Sequence, residues 1–478
     1  APHHRLMRSV FDSLVVALPG HRYGPWLAER WQISPDGREY TFELRKDVKF
    51  HDGTRFDAQA VKFNFDRIHD AKNALLARDD LGPYVASDVV AEFTIKVRFD
   101  KPYAPFLANL SKSCLGMLSP AAVAKYKDEI GAHPIGTGPF RFTSLTAPSE
   151  VVLTRNADYA WSAEGAHKGP AFLERVVFKN VPEEATRVAV LLNGQAGASD
   201  LIPPQNLAEL RRSAEFRVIQ GELLNHNYAL HLNVTRAPWN DQRVREAFRD
   251  ALDISGAVKT IYLGSAERAW SPLSPSLFGY DKSLEGGGKR DRAAAERTLD
   301  ALGYKKGADG IREKGGKRLT VVLLDTQGNR EKRLDLQTVF RRQLRDVGFD
   351  LRIDTQPSGA YLTKSVAGDY DLLAGSQFAA DPDVLRRLYT PSQRSAYSVS
   401  RVDDPELNQL LEQAYRELDA ARRADLYAQA QQRILKRVYS IPTYVLIYTI
   451  GAARKVRDLR IDVHGFPILH DAWVRRDS

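Results

Sequence analysis

The sequence predicts an α/β protein of more than one domain, and three observations carry that prediction. From residue 319 onward strand and helix patterns alternate: 319–324 is apolar and β-branched, 334–347 has helical spacing up to Gly348, and 349–353 returns to strand. A short helix through Tyr361 and a strand at 370–374 continue the series, which implies a parallel sheet with right-handed crossovers. Second, residues 27–68 read as a self-consistent strand, turn and capped helix. Third, 478 residues are more than one ordinary core organises, so two or three domains are expected.

Residues 27–68 are the most informative stretch. Pro35-Asp36-Gly37 has turn chemistry, since proline presets φ and glycine takes a positive φ without steric cost. From Tyr40 the chain alternates, with Tyr40, Phe42 and Leu44 on one face and Thr41, Glu43 and Arg45 on the other, the pattern of a half-buried strand. Asp52-Gly53 marks a second tight turn. Asp57 is placed to cap a helix whose buried stripe is Val61, Phe65 and Ile68.

The remaining elements follow in order. Apolar positions at Leu6, Val10, Leu14 and Val15 predict a short helix over 5–15, and 93–99 is a clean alternating strand. Ser119-Pro120 opens a helix, with serine as cap and proline at the first helical position. The glycines and prolines of 133–140 predict a backbone corner between domains; the stretch lacks the lysine and helix of a phosphate loop. Strands are expected at 176–178, 198–202 and 228–234, with a helix from Thr186-Arg187 toward Gly194. Pro238-Trp239-Asn240-Asp241 caps a helix carrying Val244, Phe248 and Ala251, and a further helix over 292–302 closes at Gly303. Amphipathic helices at 406–418 and 422–438 precede a return strand at 441–450. Gly286-Gly287-Gly288 and Gly315-Gly316 read as loop tips.

Composition excludes several classes. No apolar run approaches the ~20 residues that span a bilayer. The single Cys114 excludes an intramolecular disulfide and any multi-cysteine metal centre, and is expected to be a small buried residue. The net charge of +9 is interspersed with acids, as at 290–297 and 416–423, so a solvated basic surface is expected and no nucleic-acid partner. The eleven histidines are scattered and none falls in a metal-ligand spacing. His3-His4 could hold an ion, but residues at a chain end are usually mobile, and no metal or cofactor is expected. There is no Gly-x-Ser-x-Gly elbow and no dinucleotide fingerprint, so no catalytic residue is expected.

Four runs in order, AERW, SPDG, YTFELRKDVKFHDGT and FDAQAVKFNFDRI, closely resemble the signature region of the family 5 extracellular solute-binding proteins, receptors of bacterial ABC importers for dipeptides, oligopeptides, glutathione and nickel. The 133–140 corner, the NVTRAPWNDQRVREA segment from Asn233 and the 463–474 segment extend the resemblance over nearly the whole chain. It implies a two-lobe periplasmic-binding-protein fold (type II, cluster C), with a small extra subdomain in the first lobe. Residues 1–21, 138–233 and 446–478 would form the core of lobe I, 22–137 the inserted subdomain, and 234–445 lobe II. The implied function is capture of a small peptide-like ligand by hinge closure and delivery to an ABC permease, by a monomer in the periplasm or at the cell surface. Export would need a leader that the sequence does not show. A metal-chelate or opine receptor is the alternative, and an enzyme or regulator on the same scaffold the second.

The resemblance also directs attention to the site. Peptide-binding relatives hold the ligand's α-ammonium with an aspartate just before a D-P-D-like turn, but 375–380 carries no acid and Phe378 falls at that place. Asp381 would substitute only if the turn were shifted. Nickel receptors use a histidine further along, where 392–401 offers Gln393, Arg394 and Tyr397 instead. The expected ligand-binding residues are therefore Lys112, Ser113, Tyr361, Gln377, Phe378, Asp381 and Arg394, favouring a ligand with an anionic or polar end: a glutathione-like, modified-peptide or opine-like compound.

Overall fold

The computed structural model describes residues 2–73, 77–146, 150–391 and 400–475, apart from the side chains of residues 2–5 and 330. Arg394 lies outside them. Lobe II is built on a five-stranded sheet in the order Asp350–Gln356, Thr320–Thr326, Leu372–Phe378, Asn225–Leu232, Ser440–Tyr444. The first three strands are parallel, as the helix–strand alternation predicts. Asn225–Leu232, however, runs antiparallel to both its neighbours, so the sheet is mixed. A helical crossover imposes parallel pairing, and this strand arrives from the other lobe without one. All eight of its residues are buried, as suits a strand covered on both faces.

Alternation divides the two cores. Tyr228, Leu230, Val321 and Leu323 share a core with the helices Gln242–Asp250, Ile254–Tyr262 and Arg333–Val347. Leu324 and Leu373, on the opposite face, pack with the helices Pro405–Arg416 and Ala420–Lys436.

The return strand expected over 441–450 is two strands. Ser440–Tyr444 belongs to the five-stranded sheet, whereas Ile447–Ala453 pairs with Ala198–Asp200 and Phe216–Glu222 in a three-stranded sheet of lobe I. The outward crossing is also earlier than expected: the chain changes sheet at Leu223-Leu224, not after Asn233. The two crossings lie side by side, and Leu223 N donates to Leu446 O at 2.9 Å.

Within 22–137 an antiparallel sheet runs Ala28–Ile33, Glu39–Leu44, Thr94–Phe99, Tyr84–Ala91. The helix Ala58–His69 lies against it, with Asp57 accepting from Ala60 N at 2.9 Å and Val61, Phe65 and Ile68 buried, as the sequence predicts. The first helix is Pro2–Val10, shorter than predicted. Beyond it the backbone bonds at long range, Gly138 N to Val10 O and Met117 N to Asp12 O, in place of further helical turns.

The 133–140 corner is the clamp on this helix. His51 Nε2 lies 2.9 Å from Gly138 O and Thr137 Oγ1 donates to Asp12. A Cβ on Gly138 would sit 2.6 Å from Val10 C, with backbone rather than a movable side chain in the way. Gly138→Ala is therefore expected to destabilise the protein by about 1–3 kcal/mol. Gly131→Ala, where nothing lies within 4 Å, should change stability by less than ~0.5 kcal/mol. Urea unfolding of both variants checks the contrast.

Candidate functional site

The lobes meet around a buried carboxylate, Asp80, at the end of the short helix Arg78–Leu81. Lys112 approaches from the turn after the helix Phe106–Leu110, and its Nζ lies 2.6 Å from Asp80 Oδ1. Arg387, on the lobe II helix Val384–Tyr389, reaches the same oxygen at 3.3 Å. Cys114 Sγ donates to the other oxygen at 3.3 Å. Burial pushes the Asp80 carboxyl up, but Lys112 and Arg387 outweigh it and hold the group below the usual carboxylate range. Burial, with Asp80 beside it, pushes the Cys114 thiol up to about 12, so it is a protonated donor here and not a nucleophile.

Phe378 closes this assembly from lobe II. Its ring centroid stands 5.1 Å from that of Phe466, 5.8 Å from His464 and 5.9 Å from Lys112 Nζ. Ser111 Oγ and His464 Nε2 are 3.1 Å apart, and Arg8 Nη2 donates to Ser111 O at 2.5 Å. Next to this wall is a cleft of about 810 Å³, bounded by His464 and Ser111 on one side and by Leu224 and Ala380 on the other. Arg22, Arg217, Glu222 and Asp462 line it as well. Arg217 has no carboxylate partner among the described residues: one Nη donates to Val456 O, and its buried Nε makes no hydrogen bond. A space of this size, lined by both charges and by apolar carbons, suits a small multiply polar molecule.

Compared with known families, residues 22–398 match the bacterial extracellular solute-binding proteins, family 5 Middle. The chain belongs to this family. As a family 5 protein it is a solute receptor and not an enzyme. It is 28% identical over 421 residues to the glutathione-binding protein GsiB of Pectobacterium atrosepticum, covering 85% of this chain and 77% of that one. Its fold is similar to NikA from Brucella suis in complex with Fe(III)-EDTA, with a TM-score of 0.88, 25% identity, and 99% and 95% of the two chains covered. It is likewise similar to DppA from Helicobacter pylori in complex with the peptide STSA, with a TM-score of 0.83, 25% identity, and 98% and 93% covered.

In this family 5 receptor the expected site residues fall into three groups. Lys112 and Phe378 meet at the lobe junction, Ser113 is buried next to Lys112 in the chain, and Gln377 precedes Phe378 on its strand, its buried Oε1 without a hydrogen-bond partner. Tyr361, on the helix Ser358–Ala367, lies against Gly375, further up the strand from Phe378. Asp381 is buried and held at both oxygens by Arg423, at 2.6 and 2.9 Å, while Asp383 is held likewise by Arg386. Asp80, Arg387, Arg217 and His464 were not anticipated. Their contacts join distant segments, and only the placement of Asp80 beside an apolar Leu81 hints at burial.

Asp12 supports the floor of the junction. Trp161 Nε1, Thr137 Oγ1 and Tyr159 OH all donate to it, and neighbouring Ser13 Oγ donates to Lys112 O. Burial pushes its carboxyl from 3.8 up to about 7, with the three donors limiting the rise. Because the folded value is the higher, the stabilisation by protonated Asp12 is complete below 3.8 and is lost as pH rises toward 7. Relative to wild type, Asp12→Asn should therefore gain roughly 1.4 kcal/mol per pH unit across that window and level off above it. Urea unfolding at constant ionic strength reads this, and a flat difference would mean that the folded carboxyl is ionised throughout.

Proposed function

We propose that this chain is the receptor of an ABC importer that captures a compact, carboxylate-rich peptide-like molecule of glutathione size and delivers it, as a monomer outside the cytoplasmic membrane, to a permease. The observation that carries the reading is the polar cleft between the lobes, where Arg22 and Arg217 have no carboxylate partner among the described residues and Glu222 and Asp462 offer acceptors for a cation. Glutathione has two carboxylates and one ammonium, which matches that charge set. The relative GsiB is named for glutathione, and the Brucella NikA structure holds a polycarboxylate chelate. A free dipeptide anchored at Asp381 fits less well, because breaking the Arg423 pair would strand a buried charge at a cost of about 3–5 kcal/mol.

Capture works by hinge closure. The moving bodies are taken as 1–222 with 447–475, carrying the 22–137 subdomain, and 225–444. Closure brings Arg387 onto Asp80 and excludes water around Gln377 and Phe378, which strengthens each polar contact to the ligand.

Calorimetric titration against glutathione, simple dipeptides, an opine and a nickel–histidine chelate tests the ligand class. Glutathione is expected to bind best. Arg217→Gln should lose a charge-assisted bond of about 1.5–3 kcal/mol, weakening binding at least roughly tenfold. Tighter binding of dipeptides, lost in Asp381→Ala, would overturn the anchor assignment. Small-angle scattering should show a smaller radius of gyration at saturation with the ligand that binds; no change would argue against closure.

A further inference from the structure

Two histidines far apart in the sequence meet at one carboxylate. His167 lies between the strands Glu150–Arg155 and Arg175–Lys179, and His470-Asp471 near the end of the chain. His167 Nδ1 is 2.6 Å and His470 Nδ1 3.6 Å from Asp471 Oδ1, and the two rings stack with centroids 4.0 Å apart. None of the three residues lines the ligand cleft.

The other nitrogen of each ring decides the tautomer. His167 Nε2 faces Pro170 O at 3.0 Å and His470 Nε2 faces Gly169 O at 2.8 Å. A carbonyl only accepts, so both Nε2 atoms carry hydrogen, and in a neutral ring the lone pair is on Nδ1. His167 Nδ1 then meets Asp471 Oδ1 at 2.6 Å, where a lone pair and an anionic oxygen repel unless a proton or a metal cation lies between them. A ring N–H donating to a backbone carbonyl is also the contact that orients metal-ligating imidazoles. Arg460 holds the second Asp471 oxygen, and Asp471 Oδ1 also accepts from His167 N at 3.2 Å, so the carboxylate is fixed.

We propose that His167, His470 and Asp471 form a binding site for a divalent transition cation of the zinc class, with the two Nδ1 atoms and one carboxylate oxygen as ligands. The three donor atoms lie within 4.8 Å of one another, close enough to surround one small ion with bonds of about 2.0–2.2 Å after slight adjustment. Two imidazoles and one carboxylate select zinc, cobalt or nickel over magnesium or calcium, which prefer oxygen throughout. The partly exposed His167 ring gives the ion a route in and leaves a position for water. A bound ion would tie the C-terminal segment to the 156–174 connection of lobe I.

The test uses the full chain carrying His3→Ala and His4→Ala, which removes the paired histidines at its start. Titration with Zn²⁺ by calorimetry should give one ion per chain, and Co²⁺ should produce the visible absorption of a low-coordinate nitrogen–oxygen site. His167→Gln and Asp471→Asn should each weaken binding roughly ten- to hundredfold and abolish the rise in Tm that Zn²⁺ gives the parent. His167→Gln removes a partly exposed ring, so its folding serves as the control for the buried Asp471. Equal affinity in the parent and both variants, or no binding at micromolar ion, would overturn the proposal. So would a proton NMR titration showing His167 binding a proton but no competing Zn²⁺.

Discussion

The arrangement of the whole molecule depends on two adjacent backbone crossings. At 223–224 and 445–446 the chain leaves one sheet and enters another, and the Leu223 N to Leu446 O bond couples the two passages. Pairing continues close to the crossing on both sides: Glu222 pairs with Ile447 in one sheet, and Asn225 with Phe378 and Tyr228 with Tyr444 in the other, where register shifts fall between 226 and 229. A short linker between two paired sheets would concentrate rotation in a few φ/ψ angles. The cleft lies next to these crossings, with Leu224 in its wall, so a small rotation there displaces Ala380 and Phe378 relative to His464.

Charge placement makes such a rotation tolerable. Buried ions are costly when stranded, yet Asp80 has partners on both sides of the junction. On opening, Arg387 would leave with lobe II, while Lys112 and Cys114 belong to the same subdomain as Asp80 and would stay with it. Lys332 of lobe II and Glu184 of lobe I form a second cross-lobe pair at 2.8 Å, both partly exposed and so rehydrated readily on opening. Tyr415 adds apolar contact by packing on Tyr103 at 5.2 Å. The junction thus combines contacts that water could replace on opening with one buried node, Asp80, that would keep Lys112 as its counter-ion.

What could be read from the sequence follows from what is local. The Asp57 cap, the Asp36-Gly37 turn, the Ser119-Pro120 helix start and the parallel half of the lobe II sheet each depend on residues a few positions apart. The break in the 441–450 strand was not legible, because Val445 and Leu446 are as apolar as their neighbours and the change of partner sheet leaves no mark on composition. The mixed direction of the sheet was hidden for the same reason. Phe378 drew attention because the family resemblance puts it where relatives carry an aspartate, whereas Asp80 and Arg387, more than 300 positions apart, meet only in three dimensions.

The two acids of the Asp381-Pro382-Asp383 turn show why a motif is weak evidence for a ligand contact. As a sequence feature the turn presents two carboxylates, one of them near the place where relatives hold an ammonium. In the fold, Arg423 on the helix Ala420–Lys436 and Arg386 one turn along from Asp383 occupy both, so the pairs act as internal bolts between the strand end and the helices behind it. A carboxylate already held by a bidentate, buried guanidinium has little to offer a ligand that must also be desolvated. The Gln377 amide oxygen and the Arg217 Nε, by contrast, are buried without a hydrogen-bond partner, and of these two residues only Arg217 lines the cleft. On the proposed reading an anionic ligand end would draw its charge-assisted bond from Arg217, a cleft-lining cation with no carboxylate partner among the described residues, and not from the turn whose two acids are already held.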